Sequence, residues 1–109
     1  MAKKVIVFIN QWEDRHGESG MNIKVFGTPG KCLDYAKADV ENYLRRFEAV
    51  TDDGLIDGNT IQEIDGQSVS DDTLSGVLHT LQKDKYLEIN VDGDGTNSSW
   101  EIAEHDVIE

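Results

Sequence analysis

Apolar and polar residues recur along the chain with two different periods, and the period predicts which segments form strands and which form helices. Residues 4–10 include five consecutive β-branched or aromatic residues, which favour a buried strand. A polar segment, 11–20, follows, and residues 22–26 then alternate, with Ile23 and Val25 on one face. Two strands around a glycine-bearing loop predict an antiparallel hairpin.

The next segment has the start signal and the spacing of a helix. Thr28 is a good N-cap residue, and Pro29 suits the first helical position because its missing N–H costs nothing there. We predict a helix over 29–49, ended by the turn 51–54. Its apolar stripe, at helical spacing, consists of Leu33, Ala36, Val40, Leu44 and Phe47.

A second helix is predicted over 70–84. Ser70 would be its N-cap, with Asp71 and Asp72 in the first turn, where the helix dipole favours anions. Before it, residues 54–69 allow two interpretations, because 55–56 and 60–64 could be short strands or the second could be a helical turn. The buried face of the second helix would consist of Leu74, Val77, Leu78 and Leu81.

The C-terminal part predicts another hairpin. Residues 86–91 alternate, the turn signal 92–95 follows, and residues 99–107 return with Trp100 and Ile102 on one side. The whole chain, 1–109, is therefore expected to form a single α+β domain. Its two layers would be a mainly antiparallel four-stranded sheet, from the N- and C-terminal hairpins, and a covering pair of helices at about 29–49 and 70–84.

Charge separates the two halves of the chain more strongly than hydropathy does. Residues 1–50 hold eight Lys/Arg and seven Asp/Glu, a net charge of +1. Residues 51–109 hold two Lys and fifteen Asp/Glu, a net charge of −13, so the whole chain has a net charge of −12. Such a chain repels phosphate backbones and anionic membranes and attracts basic protein surfaces. Nucleic acid and membrane are therefore unexpected partners, and a protein with a basic surface is the expected one.

Other features exclude further classes. Cys32 is the sole cysteine, which excludes an internal disulfide and fits a reducing compartment; we expect Cys32 to be a small, partly buried apolar residue. The apolar run after the first lysines is too short for a signal peptide, so we expect a cytoplasmic protein. The sequence shows no nucleophile–base pair and no metal-ligand set. We therefore predict no enzymatic activity, no cofactor and no metal.

The candidate partner-binding residues are chosen by their charge, together with one tryptophan that lies in a polar segment. A tryptophan in a polar, charged loop is unusual, and exposed aromatics favour interfaces. The alternative, which we prefer, is that Trp12 folds back over the hairpin and covers the edges of the core. The acidic surface is expected at two turns and at the start of the second helix. The predicted site therefore comprises Trp12, Asp52, Asp53, Asp71, Asp72, Asp92 and Asp94.

Residues 90–101 approach a calcium loop of the EF-hand type. Asn90, Asp92, Asp94 and Glu101 occupy positions 1, 3, 5 and 12, and Gly95 occupies the glycine position. Position 1 lacks a charge, position 8 is polar, and the flanks are expected to be strands. A solvated hairpin turn is the preferred interpretation, with a calcium-binding domain as an alternative.

Residues 60–102 resemble a winged helix-turn-helix. The second helix would correspond to the recognition helix, and 86–102 to the wing hairpin. The resemblance implies a nucleic-acid-binding regulator, but this helix would begin with two aspartates and contains no arginine. A helix that enters the major groove needs cations for phosphates and donors for guanine.

The whole chain also resembles a loose group of small acidic α+β proteins of bacteria and their phages. The opening strand 3–9, the helix 28–47 and the ending 99–109 carry the resemblance. It implies an α+β fold and no particular activity, because the group is largely uncharacterised. From the charge asymmetry between the two halves, we expect a non-catalytic protein-interaction module whose acidic surface binds a basic partner, with nucleic-acid mimicry as one form of this.

Overall fold

The computed structural model describes residues 3–91 and 96–107. Eight elements follow one another along these residues, and the strands all belong to one sheet. The elements are β1 Lys3–Glu13, β2 Ser19–Phe26, α1 Pro29–Arg46, β3 Ile61–Ile64, β4 Gln67–Ser68, α2 Leu74–Asp84, β5 Tyr86–Val91 and β6 Asn97–Val107.

The sheet has the strand order β2-β1-β6-β5-β3-β4, and every neighbouring pair is antiparallel. The N-terminal hairpin β1–β2 and the C-terminal hairpin β5–β6 are joined by a continuous ladder between β1 and β6, from Lys3↔Val107 to Glu13↔Asn97. The α+β class, the two helices and the antiparallel sheet are thus confirmed. The predicted number of four strands is wrong, because the described residues form six.

The two additional strands come from the segment that the sequence left ambiguous. Ile61–Ile64 forms β3 beside β5, and Gln67–Ser68 forms the short β4. Asp65 and Gly66 join them, with φ values of 52° and 80°. Two positive φ values are typical of a tight hairpin turn that matches the twist of its strands. Neither residue of β4 is apolar, so the hydrophobic pattern gave no sign of this strand.

The hairpin β1–β2 extends farther than predicted, because the polar residues 11–13 and 19–20 continue the two strands. The turn is held by the Asp14 carboxylate, whose Oδ1 accepts hydrogen bonds from the backbone N–H groups of His16 and Glu18 at 2.9 and 3.0 Å. Trp12 consequently lies in a strand and not in a loop.

Helix α1 begins as predicted, since the Thr28 hydroxyl accepts a hydrogen bond from the Lys31 N–H and Pro29 is the first helical residue. It ends at Arg46, three residues before the predicted end. Glu48 adopts a left-handed conformation with φ of 54°, and the Ala49 N–H donates back to the Leu44 carbonyl. This left-handed cap ends the helix at Arg46, one residue before Phe47, the last member of the predicted apolar stripe.

Helix α2 begins four residues later than predicted. The N-cap is Thr73, whose hydroxyl accepts a hydrogen bond from the Gly76 N–H at 2.9 Å, so Ser70 is not the cap. Asp71 has a φ of 56°, which a right-handed helix does not allow. Asp71 and Asp72 therefore precede the helix and do not lie in its first turn.

Both helices cover the same face of the sheet. Within the predicted core, Ala36, Val40, Leu44, Val77 and Leu81 are buried, Phe47, Leu74 and Leu78 pack partly buried against them, and Leu33 is half-buried. The sheet contributes the rest, because alternate strand residues point toward the helices. This covered face of the sheet includes Ile6, Phe8, Ile61, Leu87, Ile89, Val91 and Trp100.

The opposite face of the sheet carries no helix among the described residues. We call it the open face. Ile23 and Val25 share a face as predicted, but that face is the open one, since the register pairs them with Ile9 and Val7 of β1. Their exposed fractions are 56% and 63%.

Candidate interaction site near the end of helix α1

The fold brings two of the predicted acidic segments together. The turn 51–54 follows α1, and residues 70–73 precede α2. The Ile56 N–H donates to the Asp72 carbonyl at 2.8 Å, and the Leu74 N–H donates to the Gly54 carbonyl at 2.9 Å. We call these two segments, residues 51–54 and 70–73, the acidic loop pair.

The acidic loop pair contains four of the predicted site residues. Asp52, Asp53 and Asp71 are exposed, and Asp72 is half-buried, with its Oδ2 accepting a hydrogen bond from the Ser70 N–H at 3.1 Å. Within residues 3–91 and 96–107, no lysine or arginine forms an ion pair with any of the four. The other two predicted acids, Asp92 and Asp94, lie outside the described residues. The loops therefore present carboxylates that the fold does not neutralise.

Among the described residues, the remaining acids of the second half are spread over other surfaces. Three of them, Glu63, Glu88 and Glu101, have register positions on the open face. Asp65 lies in the β3–β4 turn, and its side-chain Oδ1 accepts a hydrogen bond from the Glu88 N–H at 2.8 Å. Burial is the largest influence on this carboxyl, and it raises the pKa of Asp65. The acidic half of the sequence thus supplies several separate groups, of which the acidic loop pair is one.

Trp12 lies near the end of β1 and is half-buried. Its indole ring packs across the hairpin on Gly20 of β2, where a Cβ atom would lie 2.5 to 2.7 Å from three ring atoms. Only glycine leaves space for this contact, so the pair fixes the position of the indole. The ring has folded back over the hairpin while part of it remains accessible.

A cleft of about 280 Å³ opens beside Trp12, between the end of β1, the start of β6 and the last turns of α1. Aromatic side chains and charged groups share its lining. The aromatic residues are Trp12, Tyr43 and Phe47, the acidic residues are Glu13, Asp14 and Asp39, and the basic residue is Arg46. Three carboxylates against one guanidinium favour a cationic group, and aromatic faces attract cations as well.

Two buried polar residues form the floor of the cleft. Asn10 and Ser98 are 5% and 1% exposed, and the Asn10 Nδ2 donates to the Ser98 Oγ at 2.7 Å and to the Ser99 carbonyl at 2.9 Å. The Ser98 hydroxyl donates in turn to the Gln11 carbonyl. Because buried polar groups are costly unless they are hydrogen-bonded, these contacts lock β1 and β6 together here.

Tyr43 on α1 packs edge-on against Phe47 and Trp100, at ring-centroid distances of 5.0 and 5.1 Å. The Trp100 Nε1 donates to the Asp39 carboxylate at 2.8 Å, whereas the buried Tyr43 hydroxyl has no hydrogen-bond partner within the described parts of the chain. Burial raises the pKa of Tyr43 to about 12, with Arg46 acting in the opposite direction. The Tyr43 hydroxyl is therefore a buried polar group beside the cleft whose hydrogen-bonding capacity is not used within the described residues.

Cys32 is completely buried in the first turns of α1, and burial raises the pKa of its thiol, against a lowering by the charge of Lys85. The sequence predicted a small, partly buried apolar residue, and the burial is more complete than that. A buried thiol with a raised pKa is a poor nucleophile.

Three residues of the possible calcium loop lie outside the described residues, namely Asp92, Asp94 and Gly95. Asn90 pairs with Asn97, whereas Glu101 pairs with Tyr86 at the far end of β5. Four residues of strand separate these positions, which corresponds to about 14 Å. The two outer positions of the motif are therefore far apart along the hairpin, and calcium binding stays an alternative hypothesis.

The cleft residues were missed at the sequence level, although two signals existed. Asn10 falls on the same side of β1 as Ile6 and Phe8, which marks it as a polar residue on a buried face. Tyr43 lies at helical spacing from Val40 and Phe47. The sequence around Ser98 gave no signal, because only the pairing of β6 with β1 brings its hydroxyl next to the Asn10 amide.

Neither described helix has the length and apolar composition needed to cross a bilayer. Comparison with known proteins finds no match to this chain among protein-family models, curated proteins or solved structures.

Proposed function

We propose that this protein is a non-catalytic, cytoplasmic protein-interaction module that binds a partner through a basic surface on that partner. The observation that supports it most is the acidic loop pair, where Asp52 and Asp53 are held beside Asp71 and Asp72 by backbone hydrogen bonds. Fixed carboxylates that form no ion pair within residues 3–91 and 96–107 attract an opposite charge and steer its approach. Asp92 and Asp94 belong to the proposed surface on the sequence evidence alone.

The cleft suggests how such a partner would be anchored. A lysine or arginine side chain of the partner would enter beside Trp12 and meet the carboxylates of Glu13, Asp14 and Asp39. An aromatic face next to carboxylates is a favourable site for an organic cation, and Arg is the more frequent partner of such faces.

A fluorescent octa-arginine peptide provides a first probe of this surface. Binding is measured by anisotropy at low and high salt, for the wild type and for a variant that combines D52N, D53N, D71N and D72N. A matched control neutralises four exposed acids elsewhere: Asp34, Asp84, Glu101 and Glu104. Both variants change the net charge equally, so only position distinguishes them.

We expect the loop-pair variant to lose about 10-fold in affinity and much of its salt dependence, and the control to lose about 2-fold. Equal losses in the two variants would mean that the peptide detects net charge and not this surface. Trp12→Ala tests the anchor separately and should weaken binding further at high salt, because cation–π contact is less screened than surface charge.

A further inference from the structure

The open face carries an apolar strip at one side of the sheet. The strip consists of three residues of β2 and three of β1, extended by one of β6, and the register places them side by side. Its members are Met21, Ile23, Val25, Val5, Val7, Ile9 and Ala103. The three residues on β2 are 53%, 56% and 63% exposed. Contiguous exposed apolar side chains mark an interaction surface.

Charge is distributed unevenly over the open face. The strip itself contains no charged side chain. Glu101 on β6 borders it as the register partner of Ile9, and Glu88 and Glu63 lie farther across the same face. The chain as a whole has a net charge of −12. Two copies that approach through the acidic surfaces would bring many carboxylates together, and this strip offers an approach in which only Glu101 lies near the contact.

The edge strand beside the strip has one of the usual protections against association, a lysine, and none on its open face. The opposite edge, β4, is only two residues long and polar. By contrast β2 has eight residues, no proline and an unbroken register with β1. Its one charged residue, Lys24, lies on the covered face, with its Nζ 5.9 Å from the Tyr35 ring centre. Exposed, regular and apolar edge strands are sites of association.

We propose that the apolar strip is the interface of a homodimer, in which two copies pack their open faces together about a twofold axis. A twofold axis brings the same surface of both copies into contact, and an apolar surface can pack against a second copy of itself. Sheets that pack face to face through such side chains lie about 10 Å apart. With the axis through the β1 and β2 residues of the strip, Glu63 on β3 and Glu88 on β5 fall outside the overlap, and Glu101 on β6 lies at its margin. This inference stands on the open face and is independent of the proposed function, which uses the other side of the molecule.

The size of the strip sets the strength of the dimer. Two strands by five residues, with Ala103 on a third strand, cover about 10 by 17 Å in each copy. This is smaller than the interfaces of stable complexes and is typical of a transient contact. We therefore expect a reversible dimer with a dissociation constant of roughly 10 μM to 1 mM.

Sedimentation equilibrium of the full chain tests the proposal, over about 10 μM to 1 mM protein and in about 50 and 500 mM NaCl. We expect the average mass to rise toward two copies with concentration. Salt should strengthen the association, because it screens repulsion between two −12 chains. Binding of a basic partner through the acidic loop pair should weaken with salt, so the two proposals can fail separately.

Variants locate the interface. Ile23→Glu and Ile23→Lys should each raise the dissociation constant at least about 10-fold, because either charge would lose water in the interface. Val25→Lys should do the same. The control is Leu55→Lys, a substitution of a 41% exposed apolar residue outside the sheet, which should leave the dimer intact. Circular dichroism confirms that each variant is folded.

Three results would overturn the proposal. One is a monomer throughout the concentration range at both salt levels. Another is a dimer that persists in all the Ile23 and Val25 variants. The third is a dimer that weakens as salt increases, since that would indicate an interface built from charged groups.

Discussion

The two faces of the sheet come from the same strands and have nearly opposite surroundings. In β1, Ile6 and Phe8 are 2% and 1% exposed on the covered face, while their neighbours Val5, Val7 and Ile9 are only half-buried on the open face. Both sets of side chains are apolar. The difference shows that the second layer, not hydrophobicity, decides how much water a strand residue loses in this fold.

The largest expected effect compares neighbours on the two faces. Phe8→Ala should lower the free energy of unfolding by about 3–5 kcal/mol, because it leaves a cavity under α1, whereas Val7→Ala should cost about 1 kcal/mol or less. Urea denaturation of the two variants measures both values. Similar losses would mean that something covers the open face as completely as the helices cover the other.

The next effect concerns the polar end of the covered face. Asn10→Ala should cost about 1–3 kcal/mol, because the Ser99 carbonyl loses its donor and the Ser98 hydroxyl loses a partner. Asn22→Ala removes only an exposed residue with a 3.4 Å contact to Asn10, and should change stability by less than about 0.5 kcal/mol. Denaturant midpoints at constant slope provide the comparison, and two equal midpoints would argue against the buried network.

Tyr43 makes the stability of the covered face dependent on pH. Its pKa is raised to about 12 by burial, so above pH 10 the unfolded chain releases this proton while the folded chain retains it. The free energy of unfolding should therefore fall between pH 10 and 12, by about 2 kcal/mol from this residue.

Tyr43→Phe isolates that contribution, because the raised pKa of Tyr86 is present in both proteins. The variant should lack the part of the fall in the free energy of unfolding between pH 10 and 12 that Tyr43 causes. At pH 7 it should be as stable as the wild type or up to about 1 kcal/mol more stable, since the hydroxyl it lacks is buried and has no partner within the described residues. Thermal unfolding at several pH values checks this. Parallel pH profiles would show that the hydroxyl is not shielded from water.

The smallest expected effect lies on the open face. Ile23→Thr should change the stability of the dilute monomer by less than about 0.5 kcal/mol, whereas Ile89→Thr, at a position that is 0% exposed, should cost about 2 kcal/mol. Measurements at low micromolar concentration keep the proposed dimer dissociated. A large cost at Ile23 in dilute solution would place it in the core of the monomer.

Local patterns predicted the elements better than their ends. Thr28 and Pro29 start α1 where the cap signal predicted, because capping depends on a few neighbouring atoms. Ser70 and Thr73 are both good cap residues, and the choice of Thr73 depends on the hydrogen bond between Leu74 and Gly54, twenty residues away along the chain. Propensity alone could not distinguish these two starts.

In the candidate site, too, the sequence indicated individual residues and the tertiary structure decided which of them are in contact. The sequence identified Asp52, Asp53, Asp71 and Asp72 as acidic groups, and the bridge between Leu55 and Thr73 makes them neighbours. Trp12 was noticed as an aromatic residue among charges, but its contact with Gly20 requires the extended hairpin. The polar floor of Asn10 and Ser98 joins residues at opposite ends of the chain.

The sequence by itself determined the α+β class, two amphipathic helices, two hairpins and a strongly acidic second half, because period, caps, turns and charge are local properties of the chain. Only the tertiary structure decided which face of each strand lies under the helices and which acids become neighbours. The run Val5–Ile9 is apolar on both sides. With two helices available and both packed on one side, the other side had to remain at the surface.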